Sequence, residues 1–220
     1  MEKRMYAIRK IIFPMVIIML IITMRERFSF LNWAASILFN IGIFIFSIDH
    51  FIETKNLKAG MKIHNDKKIK QLLYGVLLAL LMLCCMVGMV GIIGMPLSSL
   101  IIPITDIREV YFQVFYLISV ALNEEFFYRG YLLYHIYKVS DSKIVTIIVT
   151  SLVFGMVHYV LDGSIIQLIF TTVVGLLLSY FKLYFTNCTI VSLCVAHYLY
   201  LLILTFIRYF LGTANYTLPF

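Results

Sequence analysis

Glu124 and Glu125 stand side by side in a run of apolar residues, Arg129 follows four positions after the second of them, and His158 and His197 sit within two later apolar runs. An ionisable group inside such a run costs roughly 2.5–3.5 kcal/mol or more unless it is paired, hydrated or set in a cavity, so these five groups are expected to need one another. Of the eleven acidic residues, only these two glutamates lie deep in a long apolar run. Of the five histidines, His50 and His64 fall in a basic loop and His135 stands at a border, which leaves His158 and His197 inside the runs.

Residues four apart share a helix face, so Glu125 and Arg129 are expected to form an ion pair that makes both charges tolerable. One residue of helix turns a side chain by about 100°, which sends Glu124 to a different face, with Tyr128, Tyr131 and His135 following on its side. Glu124 is thus the carboxylate left over for general acid–base chemistry. A structural intramembrane ion pair with a hydrated neighbour gives the same pattern. A lone intramembrane histidine, too, is more often an interhelical hydrogen-bond partner. It is the joint occurrence of the glutamates with both histidines that points to chemistry.

The elements that must position these groups are hydrophobic helices. The 220 residues are 62% hydrophobic and only 13% charged, too little polar surface to cover a water-soluble globule, whose charged share is usually about a quarter. Apolar runs occupy about 6–24, 28–48, 71–95, 110–123 and onward, 144–160, 164–185 and 188–211, each near the roughly 20 residues that a spanning helix needs. The expected fold is an all-α polytopic transmembrane bundle of about seven spans, or eight if the stretch from Pro96 to Thr105, broken by Pro96 and Pro103, forms a short re-entrant piece. No internal repeat or linker is evident, so residues 1–220 read as a single membrane domain.

The net charge of +7 does not imply nucleic acid, because the basic residues lie between apolar runs and form no continuous face. With the N-terminus in the cytoplasm, the inner segments hold thirteen lysines and arginines against four outside, among them Lys55, Lys58 and Lys62 of the inner loop. The positive-inside rule then predicts a multi-pass protein, in the plasma membrane, with a cytoplasmic N-terminus. The basic start and apolar 11–24 resemble a signal peptide, but Arg25-Glu26-Arg27 stands where a small-residue cleavage site belongs, so an uncleaved first span is expected. Cys84, Cys85, Cys188 and Cys194 show no metal-type spacing.

Glu124-Glu125-Phe126-Phe127-Tyr128-Arg129 reads EExxxR, Phe154-Gly155-Met156-Val157-His158 reads FxxxH, and His197 lies on a later helix. These motifs resemble those of the CPBP family, the CAAX proteases and bacteriocin-processing enzymes that include the type II CAAX prenyl endopeptidases, over about 110–211 as the catalytic core. The resemblance implies an intramembrane endopeptidase. In it Glu124 with His158 activates a water for attack on a peptide carbonyl, His197 helps to bind the oxyanion, and Glu125, Arg129 and Phe154 support the site. The implied substrate is a small membrane-associated peptide or the tail of a lipid-modified protein. No cofactor is expected; zinc on two histidines and a carboxylate is the minority alternative, as no HExxH is present.

Where the family often has an asparagine four residues after the last histidine, this chain has Leu201. Loss of one oxyanion donor costs on the order of 10²–10³ in rate in a characterised hydrolase, so a weakened or inactive member acting in bacteriocin immunity or regulation is the alternative reading. Tyr200, on nearly the same face as His197, is the expected substitute donor. A transporter would call for paired broken helices in two related halves, which the sequence does not show. Depth sets a further condition. Counted from the assumed span ends at about 1.5 Å per residue, Glu124 falls nearer the inner surface and His158 nearer the outer one. Their meeting requires a shift of a turn or two, or a break near Gly130 with 131–139 as a separate helix.

The charge asymmetry makes one test immediate. A cysteine placed at Lys62 should react with an impermeant thiol reagent only after the membrane is opened, and labelling from outside intact cells would refute the proposed orientation.

Overall fold

The computed structural model describes residues 2–27, 32–53, 67–94 and 103–217; Lys55, Lys58, Lys62, His64 and Pro96 lie outside them, as does most of the stretch considered for an eighth span. The chain is all-α, with no strand among the described residues. Its helices are α1 (Glu2–Arg27), α2 (Asn32–Glu53), α3 (Lys68–Ile93), α4 (Ile107–Glu125), a π-helical segment (Phe126–Leu132), α5 (Leu133–Ser140), α6 (Lys143–Asp162), α7 (Ile165–Tyr184) and α8 (Ile190–Thr217). Among the described residues, α3, α6, α7 and α8 are long and apolar enough to cross a membrane by length and composition alone. Helix α4 opens on Asp106, whose side chain accepts from the Arg108 amide, and carries Arg108, Glu109, Glu124 and Glu125, which dilutes its apolar character.

Helix α4, the π segment and α5 form one continuous rod. The residues at both junctions keep right-handed helical angles, and the Leu133 amide donates to the Tyr128 carbonyl five residues back. There is no break at Gly130. The wider turns of a π segment replace it, and such segments are frequent at functional sites. The rod ends at Asp141, whose left-handed conformation (φ 51°) turns the chain. Ser142 then caps α6 by accepting from the Val145 amide. Glu124 lies seventeen residues before Asp141 and His158 seventeen after it, so this antiparallel hairpin brings them level. The depth mismatch read from the sequence came from counting from an assumed span end close to Glu124, whereas the rod runs on to Ser140.

The next turn repeats the device, with Gly163 (φ 68°) left-handed and Ser164 accepting from the Gln167 amide to start α7. Helices α6 and α7 pack closely because each contributes a glycine at the crossing. A Cβ on Gly155 would collide with Thr172 Oγ1 and come within 2.9 Å of the Leu168 carbonyl oxygen, and one on Gly175 would sit 3.0 Å from Ser151 Cα. In a bilayer, where lipid tails are as apolar as leucine, such small-residue contacts are a main source of helix association.

Two apolar clusters make the core. One gathers Leu78 and Met82 of α3, Phe170, Val174 and Leu178 of α7, and Leu193, Ala196 and Tyr200 of α8. The other gathers Ile18 of α1, Phe39 and Ile43 of α2, Phe127, Tyr128 and Tyr131 of the π segment, and Phe154 and Val157 of α6. The titratable groups singled out in the sequence lie where the two meet.

Gly155→Ala is expected to force α6 and α7 apart one turn from His158, at the 1–3 kcal/mol typical of overpacking. Thermal unfolding of the purified protein in detergent measures it, and an unchanged transition would show that the contact is not close in solution.

Candidate active site

Glu125 sits at the end of α4 with a fully buried side chain. Its Oε1 accepts from Arg129 Nη1 at 3.1 Å, as the i, i+4 spacing predicts, and also from His197 Nδ1 at 2.9 Å. The second bond was not foreseen. The sequence carries no signal for it, because α8 reaches Glu125 from 72 positions away. Arg129, also fully buried, lies with its guanidinium carbon 4.3 Å from the Phe154 ring centroid and 5.8 Å from that of Tyr128. The arginine of the first motif thus rests on the phenylalanine of the second.

Phe154 in turn holds His158. Their rings are 4.4 Å apart edge to face, and His158 Nδ1 is 2.9 Å from the Phe154 carbonyl oxygen. A carbonyl only accepts, so Nδ1 carries the hydrogen and Nε2 is free for chemistry. The same logic applies to His197, whose Nδ1 faces a carboxylate oxygen already shared with Arg129. Each histidine is therefore oriented through Nδ1 and presents Nε2.

Both Nε2 atoms face one oxygen. Glu124 Oε2 is 4.0 Å from His158 Nε2 and 3.9 Å from His197 Nε2, too far for a direct hydrogen bond, and Oε2 is buried with no hydrogen-bond partner. Side-chain exposure divides the group: 13% for Glu124 and 18% for His158, against 0% for Glu125 and Arg129. The pair that solvent or substrate can reach is the pair that lacks a cation, as the helix-face argument expects of Glu124.

Other expected participants lie elsewhere. The Tyr200 hydroxyl donates to Met86 Sδ at 3.6 Å, and its ring stands 5.9 Å from Phe170 in the apolar cluster. Leu201 packs on the edge of that cluster. Tyr131 sends its hydroxyl to the Lys10 carbonyl of α1, and His135 is buried against the rings of Tyr131 and Tyr134. One polar contact beside the site was missed: Asn123 Nδ2 donates to Asn40 Oδ1 of α2 at 3.4 Å. Two asparagines in separate apolar runs were the available signal. Among the described residues, no three His, Cys, Asp or Glu side chains form a ready metal-ligand group. The four cysteines are free thiols, and burial pushes the Cys188 thiol, in the turn before α8, up to about 12.

From the cap of α4 at Asp106 into α8, residues 106–203 match the family described as type II CAAX prenyl endopeptidase Rce1-like. That stretch is similar to the Rce1-like family. The matched stretch is just under half of the chain and contains Glu124, Glu125, Arg129, Phe154, His158 and His197. No curated protein and no solved structure gives a significant match. With four membrane-capable helices among the described residues, the chain is an integral membrane protein, and its residues 106–203 are similar to an endopeptidase family.

The geometry separates the two glutamates experimentally. Glu125→Gln keeps the volume but removes the charge that holds Arg129 and His197, and is expected to cost about 3–5 kcal/mol, as breaking a buried pair does. Glu124→Gln should leave folding nearly intact. Folded yield and thermal unfolding in one detergent compare them, and equal losses would refute the division.

Proposed function

We propose that this chain is an intramembrane endopeptidase in which Glu124 is the general base and acid, His158 helps to place the attacking water, and His197 stabilises the oxyanion. The observation that carries this reading is the convergence of two oriented Nε2 atoms on one unpartnered carboxylate oxygen. Two acceptors 4.0 Å apart suit a single water: an oxygen about 2.8 Å from each donates one hydrogen to Glu124 Oε2 and one to His158 Nε2. The water oxygen attacks the carbonyl carbon as its proton passes to Glu124. The carbon–nitrogen bond then breaks, and Glu124 returns that proton to the leaving amine.

His197 acts as a donor when Nε2 carries a proton. That proton also balances the local charge, since Glu124 and Glu125 are otherwise opposed by Arg129 alone among these groups. Glu125, 2.9 Å from Nδ1, orients the ring and offsets the positive charge in a low-dielectric setting. Arg129 and Phe154 act through Glu125 and His158 and are positioning residues. The substrate class is a peptide bond in a membrane-associated peptide or the tail of a lipid-modified protein. The enzyme works in the plasma membrane, with its N-terminus in the cytoplasm.

Metal-free chemistry fits the distances better than zinc. Ligands about 2.0–2.2 Å from a tetrahedral zinc lie roughly 3.3–3.6 Å apart, closer than the separations of 3.9 and 4.0 Å from Glu124 Oε2. Chelator-resistant cleavage by metal-free protein is the expected outcome, and loss of activity restored by zinc would reverse this choice.

One observation favours a second reading, a weakened member acting in immunity or regulation. The position of the family's asparagine is Leu201, and Tyr200 is engaged with Met86, so His197 is the one oxyanion donor this reading identifies. Cleavage of a defined membrane peptide in liposomes decides between them. Glu124→Gln should abolish turnover, and Tyr200→Phe should leave it nearly unchanged. Leu201→Asn should raise it, by up to the 10²–10³ that such a donor contributes. Wild-type turnover no faster than that of Glu124→Gln would establish the non-enzymatic reading.

A further inference from the structure

Exposed charge divides unevenly between the two ends of the rod. Where the rod begins, acids and bases mix: Arg108 pairs with Asp106 at 3.0 Å, and Glu109 accepts from Gln113. Where it turns back into α6, Lys138 and Lys143 are both exposed and flank Asp141. Among the described residues, none of these three forms an ion pair. The Lys138 ammonium lies 4.4 Å over the Tyr134 ring, and that of Lys143 lies 4.8 Å over the Tyr184 ring of α7. A ring face covers one side of an ammonium and leaves N–H donors for an oxyanion. The turn between the lysines is itself braced, since Ser140 Oγ lies 3.1 Å from Thr146 Oγ1, which donates to the Ser142 carbonyl at 2.7 Å.

The surface next to the lysines is apolar. Ile144, Ile148 and Leu152 recur every four residues along one face of α6 and are exposed, as are Tyr180 and Tyr184 of α7, whose rings stack at 4.8 Å. Nine residues of helix separate Lys143 from Leu152, roughly 14 Å, or about half of a hydrocarbon core some 30 Å thick. Over the depth of one leaflet the order therefore runs from ammonium to phenol ring to aliphatic side chain, matching phosphate, glycerol and acyl chain in a phospholipid. Charge then selects among lipids. Two cations against one acid leave this end positive, and a lysine near the membrane surface attracts anionic lipid about fivefold.

We propose that the exposed face of α6 and α7 binds one anionic phospholipid. Lys138 and Lys143 hold its headgroup beside Tyr184, and an acyl chain lies along Ile144, Ile148 and Leu152. The site is separate from the peptidase reading and stands or falls without it.

Native mass spectrometry of the full chain in detergent, titrated with dioleoyl phosphatidylglycerol, dioleoyl phosphatidylcholine or inorganic phosphate, tests the assignment. Wild type should retain one phosphatidylglycerol per chain in preference to phosphatidylcholine. Lys138→Gln with Lys143→Gln should weaken phosphatidylglycerol binding roughly thirtyfold and leave phosphatidylcholine unchanged, while Lys138→Arg with Lys143→Arg keeps the preference. Asp141→Asn removes the local acid with a residue that also tolerates the left-handed turn. It should strengthen phosphatidylglycerol binding about fivefold, and it decides the matter if the glutamine pair fails to fold. Arg108→Gln, at the other end of the rod, should change the binding of neither lipid. Equal binding of the two lipids by wild type, undiminished phosphatidylglycerol binding in the glutamine pair, or no gain in Asp141→Asn would each overturn the proposal. So would a loss in Arg108→Gln as large as that of the pair, or displacement of the lipid by inorganic phosphate.

Discussion

Glu125 Oε1 accepts two hydrogen bonds, one from Arg129 on its own rod and one from His197 on α8. Each of these groups would be costly alone in a fully buried, low-dielectric position, and each becomes tolerable through the other two. The remaining geometry follows from this three-part contact. It ties α8 to the junction of α4 and the π segment, turns the His197 ring so that Nε2 faces Glu124, and holds Arg129 where Phe154 can stack on it. Because Phe154 also fixes His158, a single carboxylate oxygen organises both histidines, one directly and one through an arginine and a ring.

The scaffold serves that contact in two ways. The unbroken rod from α4 through α5, reversed at Asp141 into α6, sets Glu124 and His158 at one depth without a long-range constraint. The two apolar clusters meet at the polar groups, so polar side chains that lipid could not satisfy are enclosed between packed halves. The π segment lies at that junction, and its side chains from Phe127 to Leu132 are all buried.

The stretch after His197 departs from the pattern that the resemblance implies, with leucine at position 201. On a helix, a residue three positions on from His197 is rotated about 60° from it, and that is enough to carry the Tyr200 hydroxyl to Met86 in the cluster of α3, α7 and α8. Leu201 has only carbon to offer. His197 is the residue of this motif whose ring nitrogen faces Glu124, at 3.9 Å from its Oε2.

Several features were legible in the residues alone, because they rest on local periodicity or on a cost that acts on each residue singly. Apolar runs of spanning length could only be helices, and the penalty for intramembrane charge picked out Glu124, Glu125, Arg129, His158 and His197 with no knowledge of their contacts. The i, i+4 pairing of Glu125 with Arg129, and the separate direction of Glu124, also follow from helix geometry within one turn. The tertiary structure decided what depends on several helices at once: the second bond of Glu125 to His197, the stacking of Arg129 on Phe154, and the engagement of Tyr200 by Met86. It also decided that Glu124 and His158 stand level, which rests on the rod continuing past Gly130. Helical spacing within one segment is set by the backbone repeat. Which side chain fills a contact between segments depends on rotations and tilts that only their joint packing fixes.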